Sequence, residues 1–487
     1  MDATSSEHVL PDDESRLRHA GGQSYLDLVG RRAGANSAPD AVVLASTASE
    51  VLAVLRACVE HRVAVVPFGG GTSVVGGVSP DRGDLHAVIA LDLALLSSLV
   101  DVDPISLTAT VHAGMTTPAV EAALARHGLT LGHAPQSWQR ATVGGYVVTR
   151  SAGQASTGVG RFDDLVLGLT MVTPQGVMRL DAMPGSAAGP DLRRLVMGSE
   201  GTLGVVTEVV LRVRRLPERR RFEGWMAPSF EVGQAVFREL VQDGPTADVM
   251  RLSDAEETAV ALELNGPHGT KRKLLDRYLR ARLKSETPCL VVLGYEGHDE
   301  DVEHRRRRVA RALRRAGAVP LGKSAGASWE RGRFHGPHVR DSLLDAGYLV
   351  ETLETATVWS RLGDLHAAVS ASLRDALADQ GTPPLVGCHI SHVYGSGASL
   401  YFTVIARGLA GAESEQWQRA KQAAGDAIRS VGGTSTHHHG VGTMHLPWVE
   451  GDLTQLGAEA LAAVKTALDP SGILNPGKLL RPRGHAG

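Results

Sequence analysis

The stretch PFGGGTSVVGG, Pro67 to Gly77, constrains this chain more than any other segment. It follows VAVVPF, an apolar run short enough to be a buried strand. Its consecutive glycines let the backbone turn its N–H groups inward, and Thr72 and Ser73 add hydroxyl donors. Inward N–H groups on a tight loop make a cradle for an anion, phosphate above all. No Gly-Lys-Ser/Thr follows, so this is not a Walker loop, and it is not the GxGxxG turn that opens a dinucleotide-binding helix. Taken alone, a purely structural turn remains the alternative.

Two more glycine clusters follow. PQSWQRATVGGYVVTRSAG, Pro135 to Gly153, keeps small residues at Thr142, Gly144, Gly145, Ser151 and Ala152, so a planar, phosphate-bearing ligand can approach the backbone. GSEGTLGVVTEV, Gly198 to Val209, sets Gly201 and Gly204 around a turn into a strand. A Pro/Gly-punctuated DPSGILNPGK lies near the C-terminus.

With 487 residues the chain exceeds one ordinary core. We expect a polar lead-in over residues 1–36 with at most a short helix, a cofactor domain over 37–216, a substrate domain over 217–435, and a C-terminal segment over 436–487. In the cofactor domain PDAVVLAS, HAVIALDL, LTATVHAG, LVLGLTMVTPQG and GVVTEVVLRV read as strands. SEVLAVLRACVEHR reads as an amphipathic helix, and TPAVEAALARHG as a helix closed by Gly128 at its C-cap. The substrate domain alternates helices, such as PSFEVGQAVFRELVQDG, with strands, such as CLVVLGYEG and SLYFTVIA, an order that suits an antiparallel sheet in an α+β domain.

A net charge of -3 makes no case for nucleic acid or an anionic membrane as the main partner. The Arg clusters at Arg214–Arg221 and His304–Arg315 read as solvated loop and helix faces. Three separated cysteines, Cys58, Cys289 and Cys388, give neither a disulfide framework nor a metal spacing. The polar N-terminus, the lack of a membrane-length apolar run, and a C-terminal RPRGHAG without a peroxisomal tripeptide make a cytoplasmic enzyme the expectation.

His437, His438 and His439 form a run before Gly440. Adjacent residues on one segment cannot all face one ion, and no HExxH or Cys/His spacing supplies partners, so no metal is expected. A surface run is one reading; a proton shuttle near neutral pH is the other. In SLYFTVIA, strand alternation puts Tyr401 and Phe402 on opposite faces, so one of them can face a cavity. His392 and Tyr394, in SHVYGSG, are weaker candidates.

The ordered set GGGTS, TVGG, GSEGTLGV and NPGK resembles the FAD-binding domain shared by vanillyl-alcohol oxidase and p-cresol methylhydroxylase. Within that superfamily the chain resembles the alkyldihydroxyacetonephosphate synthases (alkylglycerone-phosphate synthases), from about Pro39 to Leu480. The motifs are GGGTSVVGG, APQSWQRATVGGYVVTRSAG, VTPQGV, MGSEGTLGVVTE, MRLSD, ETLETATVW, HVYGSGASLYF and STHHHGVG. The resemblance implies an α+β fold: a two-subdomain FAD-binding domain of the p-cresol methylhydroxylase type, an α+β cap domain with an antiparallel sheet, and a C-terminal segment returning to the FAD domain.

It also implies the FAD contacts. The first group is Pro67, Phe68, Gly69, Gly70, Gly71, Thr72, Ser73 and Val74; the second is Pro135, Gln136, Ser137, Trp138, Gln139, Arg140 and Ala141, with Thr142, Gly144 and Gly145 beside them. Val148, Thr149, Arg150 and Ser151 follow, then Glu200, Gly201, Thr202, Leu203, Gly204, Val205 and Val206. Thr72 stands where some members attach flavin through a His, which implies noncovalent FAD. Tyr401 matches the family's proton-transferring Tyr, and His437, His438 and His439 match active-site histidines. Arg340 would hold the substrate's anionic end, because a guanidinium forks onto phosphate or carboxylate. Arg251 matches another family arginine, as a substrate contact or a supporting ion pair.

The implied reaction exchanges the acyl group of acyl-dihydroxyacetone phosphate for a fatty alcohol in ether lipid synthesis, without net redox change. A lipid-like substrate, peripheral membrane contact and a homodimer go with it. The alternative is an FAD-linked oxidation of a hydroxy acid or alcohol, since one fold supports both chemistries. Metal-assisted dehydrogenases of the superfamily carry GHxGDGNxH, where this chain has GCHISHVYGSGASLYF. It also has YFTV and YGSG where the synthases have a YFYF-like run and YDAG.

Overall fold

A computed structural model describes residues 4–34, 37–283 and 285–480. The lead-in and RPRGHAG readings extend onto residues outside these. The chain divides into two units. The first holds the chain up to Gly153, then Arg161–Arg215 and the chain from His438 onward; the second holds Gln154–Gly160 and Leu216–His437. No described helix is long and apolar enough to cross a membrane.

In the first unit the strands Ala41–Leu44, Ala87–Asp92 and Val63–Phe68 lie parallel in that order, with Val9–Leu10 antiparallel at the edge. Parallel strands need a crossover, here the helix Ala48–His61. Its buried Val51, Val54, Leu55 and Cys58 recur at helical spacing. Thr47 caps it by accepting from the Glu50 N–H, a contact of about 1 kcal/mol. A five-stranded antiparallel sheet follows, in the order Leu99–Asp103, Thr108–His112, Val205–Arg212, Val166–Thr173, Gly176–Leu180. One apolar core joins both sheets and takes in Ile473 and Leu474. The C-terminal segment thus returns to this unit: Val65 N–H donates to Ile473 O and Asn475 N–H to Val65 O, both at 2.8 Å.

Three expectations need correction here. The lead-in folds: helices Asp13–Arg18 and Tyr25–Arg32 form, the second through a Ser24/Asp27 capping box, and Tyr25 and Leu28 are buried. The helix Thr117–Ala125 is capped at Arg126 rather than Gly128, which instead takes a left-handed turn (φ +70°) two residues later. Finally, Arg219–Arg221 is no solvated loop but the start of the strand Arg219–Ala227, where Arg221 faces Glu303 at 3.3 Å.

The second unit is a seven-stranded sheet in the order Val319–Gly322, Arg219–Ala227, Cys289–Gly297, Val249–Ser253, Leu385–Val393, Gly397–Arg407, Tyr348–Val358. Every neighbouring pair is antiparallel, as the alternating helices and strands imply. The helices Phe230–Asp243 and Leu362–Ala378 each bury an apolar stripe. Gln154–Gly160 joins this unit because Ala155 and Val159 share a small core with Phe222 and Val249.

Candidate active site

In the first unit the three glycine clusters meet at the end of the strand Val63–Phe68. A Cβ on Gly70 would lie 2.0 Å from the Arg140 carbonyl oxygen, and one on Gly69 would lie 2.3 Å from Thr142 Oγ1. Gly201, at φ +76°, sits with its missing Cβ 2.9 Å from Pro67. The loops therefore pack so closely that no glycine at these contacts has room for a side chain. Thr142 is the N-cap of the helix Val143–Thr149, and Gly144 N–H donates to Ala113 O at 2.7 Å. None of the described residues accepts a hydrogen bond from the N–H groups of Gly69, Gly70, Gly71, Thr72 or Ser73. Five such donors on one loop fit the phosphates of a dinucleotide cofactor.

The side chains in these loops are divided between tasks. Leu203, Val205 and Val206 are buried in the core, which leaves only their backbone for a ligand. Thr202 Oγ1 donates to Ser199 O at 2.7 Å and Thr149 Oγ1 to Gly145 O at 2.9 Å. Arg150 reaches Asp163 at 2.8 Å, while Gln136, Gln139 and Arg140 are exposed. Glu200 turns its carboxylate to the C-terminal segment, accepting from Val441 N–H at 2.6 Å and Gly442 N–H at 2.8 Å. Burial pushes that carboxyl up to about 7 against those two N–H groups. Ser151 meets His133 Nε2 at 3.1 Å. His133 went unnoticed in the sequence; it is wholly buried against Tyr146 and Phe162, and burial drives it down to about 3.

In the second unit Tyr401 and Phe402 do take opposite faces. Phe402 is fully buried in the core, whereas Tyr401 is half-buried and stacks on His389 with ring centroids 4.8 Å apart. Burial, against a hydrogen bond from Thr352 and with help from Glu354 and Glu351, pushes the Tyr401 phenol up to about 12. His389 Nδ1 lies 2.8 Å from Glu257 and 3.0 Å from Arg251, and Arg251 pairs with Glu257 at 2.5 Å. Arg251 thus forms the supporting ion pair, one of the two expectations for it, with Glu257. Although burial acts the other way, His389 and Arg251 hold the Glu257 carboxyl well below the usual carboxylate range. His389 is kept below its ordinary value by burial and by Arg251. Arg340 comes from a different element, the helix Gly336–Asp345, which packs on the strand Tyr348–Val358. Its Nε lies 3.6 Å from Asp341.

The His run is divided by the fold: His437 belongs to the second unit, His438 and His439 to the first. His437 Nδ1 lies 3.1 Å from Glu354 Oε1 and its Nε2 lies 2.6 Å from the Tyr394 hydroxyl. His392 stacks on it at 5.1 Å and meets Ser156 Oγ at 2.6 Å through Nδ1. Glu354 is 2% exposed and is the cross-strand partner of Tyr401. Sequence reasoning passed over Glu354, Glu257 and His389. For Glu354 the available signal was a Glu in the otherwise uncharged strand run TLETATV, since a charge buried there must be paired.

Two families match. FAD binding domain covers residues 39–181, and FAD linked oxidases, C-terminal domain, covers residues 216–479. The first match and the glycine cradle agree on FAD as cofactor. The alkyldihydroxyacetonephosphate synthase of Trypanosoma brucei brucei is 32% identical over 98% of this chain and 79% of its own length. That of Dictyostelium discoideum is 30% identical over 97% of this chain and 78% of its own. A solved alkyldihydroxyacetonephosphate synthase superposes with a TM-score of 0.85 at 28% identity, covering 98% of this chain and 84% of the other.

Proposed function

The chain belongs to the alkyldihydroxyacetonephosphate synthase family of FAD-linked enzymes, and on that premise we propose that it exchanges the acyl group of acyl-dihydroxyacetone phosphate for a fatty alcohol. The observation that carries this reading is the likeness along nearly the whole chain, both units included. FAD, held noncovalently by the glycine cradle, would supply an electron sink for the carbon that loses its acyloxy group.

The remaining work falls to side chains. Tyr401 Oη exchanges a proton at the substrate carbon; a phenol pushed up to about 12 stays protonated at neutral pH and returns any proton it gives up. Arg340 forks onto the phosphate. His437, His438 and His439 supply further proton-transfer capacity. The stack of Glu257, His389 and Arg251 fixes the plane on which the Tyr401 ring lies. A homodimer that touches the membrane supplying its lipid-like substrates completes the reading, as does a cytoplasmic location, which suits three buried cysteines that form no disulfide.

The test is direct. Purified holoprotein is mixed, without oxygen, with acyl-dihydroxyacetone phosphate and a labelled fatty alcohol. Labelled ether, with the flavin ending oxidised, is the expected result. Flavin bleaching by a hydroxy acid, with no ether formed, overturns the exchange and leaves an oxidase.

A further inference from the structure

The second unit holds a chain of groups in addition to Tyr401 and its partner His389. Glu354 Oε1 faces His437 Nδ1 at 3.1 Å, and the Tyr394 hydroxyl faces His437 Nε2 at 2.6 Å. An ionised carboxylate only accepts hydrogen bonds, so with Glu354 ionised Nδ1 carries the ring hydrogen and Nε2 presents its lone pair. The Tyr394 O–H then donates to Nε2. A carboxylate that sets a tautomer so that the far nitrogen can take a proton is the logic of the hydrolase triads.

The surroundings hold each member in place. Glu354 is 2% exposed. The His392 ring covers one face of His437 and is itself met by Ser156 Oγ at 2.6 Å. Tyr394 sits in the turn between the strands Leu385–Val393 and Gly397–Arg407. Its N–H donates to Gly397 O at 2.8 Å, and its carbonyl accepts from Trp359 Nε1 at 3.0 Å. Unlike the other two, it is only half-buried, so the chain of groups ends at a residue that is not sealed in the core.

We propose that Tyr394 is a second proton-transfer group, which takes the proton of the incoming alcohol while its own passes to His437, and that Glu354 is the positioning residue that sets the imidazole. This rests on the exchange reading above. The two entering groups differ in their proton demand: a fatty acid comes and goes as a carboxylate, whereas a fatty alcohol must lose a proton. As the alcohol oxygen bonds to the carbon that the fatty acid has left, its O–H bond breaks. That proton goes to the Tyr394 oxygen, the Tyr394 proton goes to His437 Nε2, and the imidazolium rests on Glu354 until it returns the proton to water. Nothing is oxidised or reduced. Tyr401 is left with the proton on carbon.

The experiment measures two rates on the holoenzyme: entry of labelled fatty alcohol into ether, and return of labelled fatty acid into acyl-dihydroxyacetone phosphate. In Tyr394→Phe, alcohol entry should fall roughly a hundredfold, and at least tenfold more than acid return. Glu354→Gln should show the same bias with a smaller drop, and it decides the matter if Tyr394→Phe loses FAD. Equal loss of both rates, or unchanged alcohol entry, overturns the proposal while the exchange reading stands. A wild-type protein that performs neither rate overturns both. One divalent metal ion per chain, lost in Glu354→Gln, also overturns it, because Glu354, His392 and His437 offer atoms within 4.8 Å of one another and would then be ligands.

Discussion

The two units carry their chemistry in different materials. The first brings backbone together: its loops approach so closely that Gly69, Gly70 and Gly201 have no room for a Cβ, and the N–H groups of Gly69 to Ser73 are the donors it offers. The second pairs side chains on and beside one antiparallel sheet, where Glu257, His389 and Arg251 form one cluster and Glu354, His437 and Tyr394 another. The difference predicts how each fails. A backbone cradle is broken by adding an atom, and a charged cluster by removing one.

The largest effect follows from adding an atom where nothing can yield. In Gly70→Ala the new Cβ meets the Arg140 carbonyl at 2.0 Å and the Arg140 carbonyl carbon at 2.6 Å, both backbone. The loops must part, at a cost on the order of 5 kcal/mol, and the purified protein should be colourless. Normal FAD content at wild-type stability would show that the cradle is looser than drawn. The converse experiment takes a charge away. Glu257→Gln leaves the partly buried Arg251 without its ion pair beside a buried His389, costing about 3 kcal/mol. Thermal unfolding should register that loss, with FAD still bound to the folded protein. Loss of FAD at full stability would contradict the division between the units.

That division also explains what could be read from sequence. Glycines forced by close backbone approach are visible as glycines, so the cradle and its ordered partners were legible in the sequence. So was the alternation that separates Tyr401 from Phe402. Paired side chains leave no such mark: His437 and Glu354 are 83 residues apart, His389 and Glu257 132 apart, and only the folding of a loop and a helix onto the sheet unites them. Gln154–Gly160 escaped for a similar reason, since its place depends on two apolar side chains meeting Phe222 and Val249. The folding of the lead-in was more accessible, because Ser24 and Asp27 stand at capping-box spacing ahead of Leu28.

Glu200 sharpens the comparison, as a buried carboxylate inside the backbone unit. Its carboxyl holds a proton more tightly folded, at about 7, than in its ordinary state at 4.5. The stability it contributes is therefore complete below about pH 4.5 and is lost as pH rises through about 7, a change on the order of 3 kcal/mol. Denaturant midpoints measured across that window should decline in wild type and decline less in Glu200→Gln, which keeps an acceptor for one of the two N–H groups. Parallel profiles would mean that Glu200 is ionised throughout and that its two N–H donors outweigh its burial.

The smallest effect separates clashes with backbone from clashes with side chains within the cradle itself. The Gly69 position is blocked chiefly by Thr142 Oγ1 at 2.3 Å, whereas Thr142 Cβ lies at an ordinary 3.4 Å. Thr142→Ala alone removes a helix cap and costs about 1 kcal/mol. It also clears the space that a Cβ on Gly69 needs. Gly69→Ala should therefore be less damaging in the Thr142→Ala background than in wild type, by on the order of 1 kcal/mol in a double-mutant cycle. Gly70→Ala should gain nothing from that background, because the Arg140 carbonyl remains. Equal coupling for both glycines would mean that the loops separate as one body, and that no single contact sets their spacing.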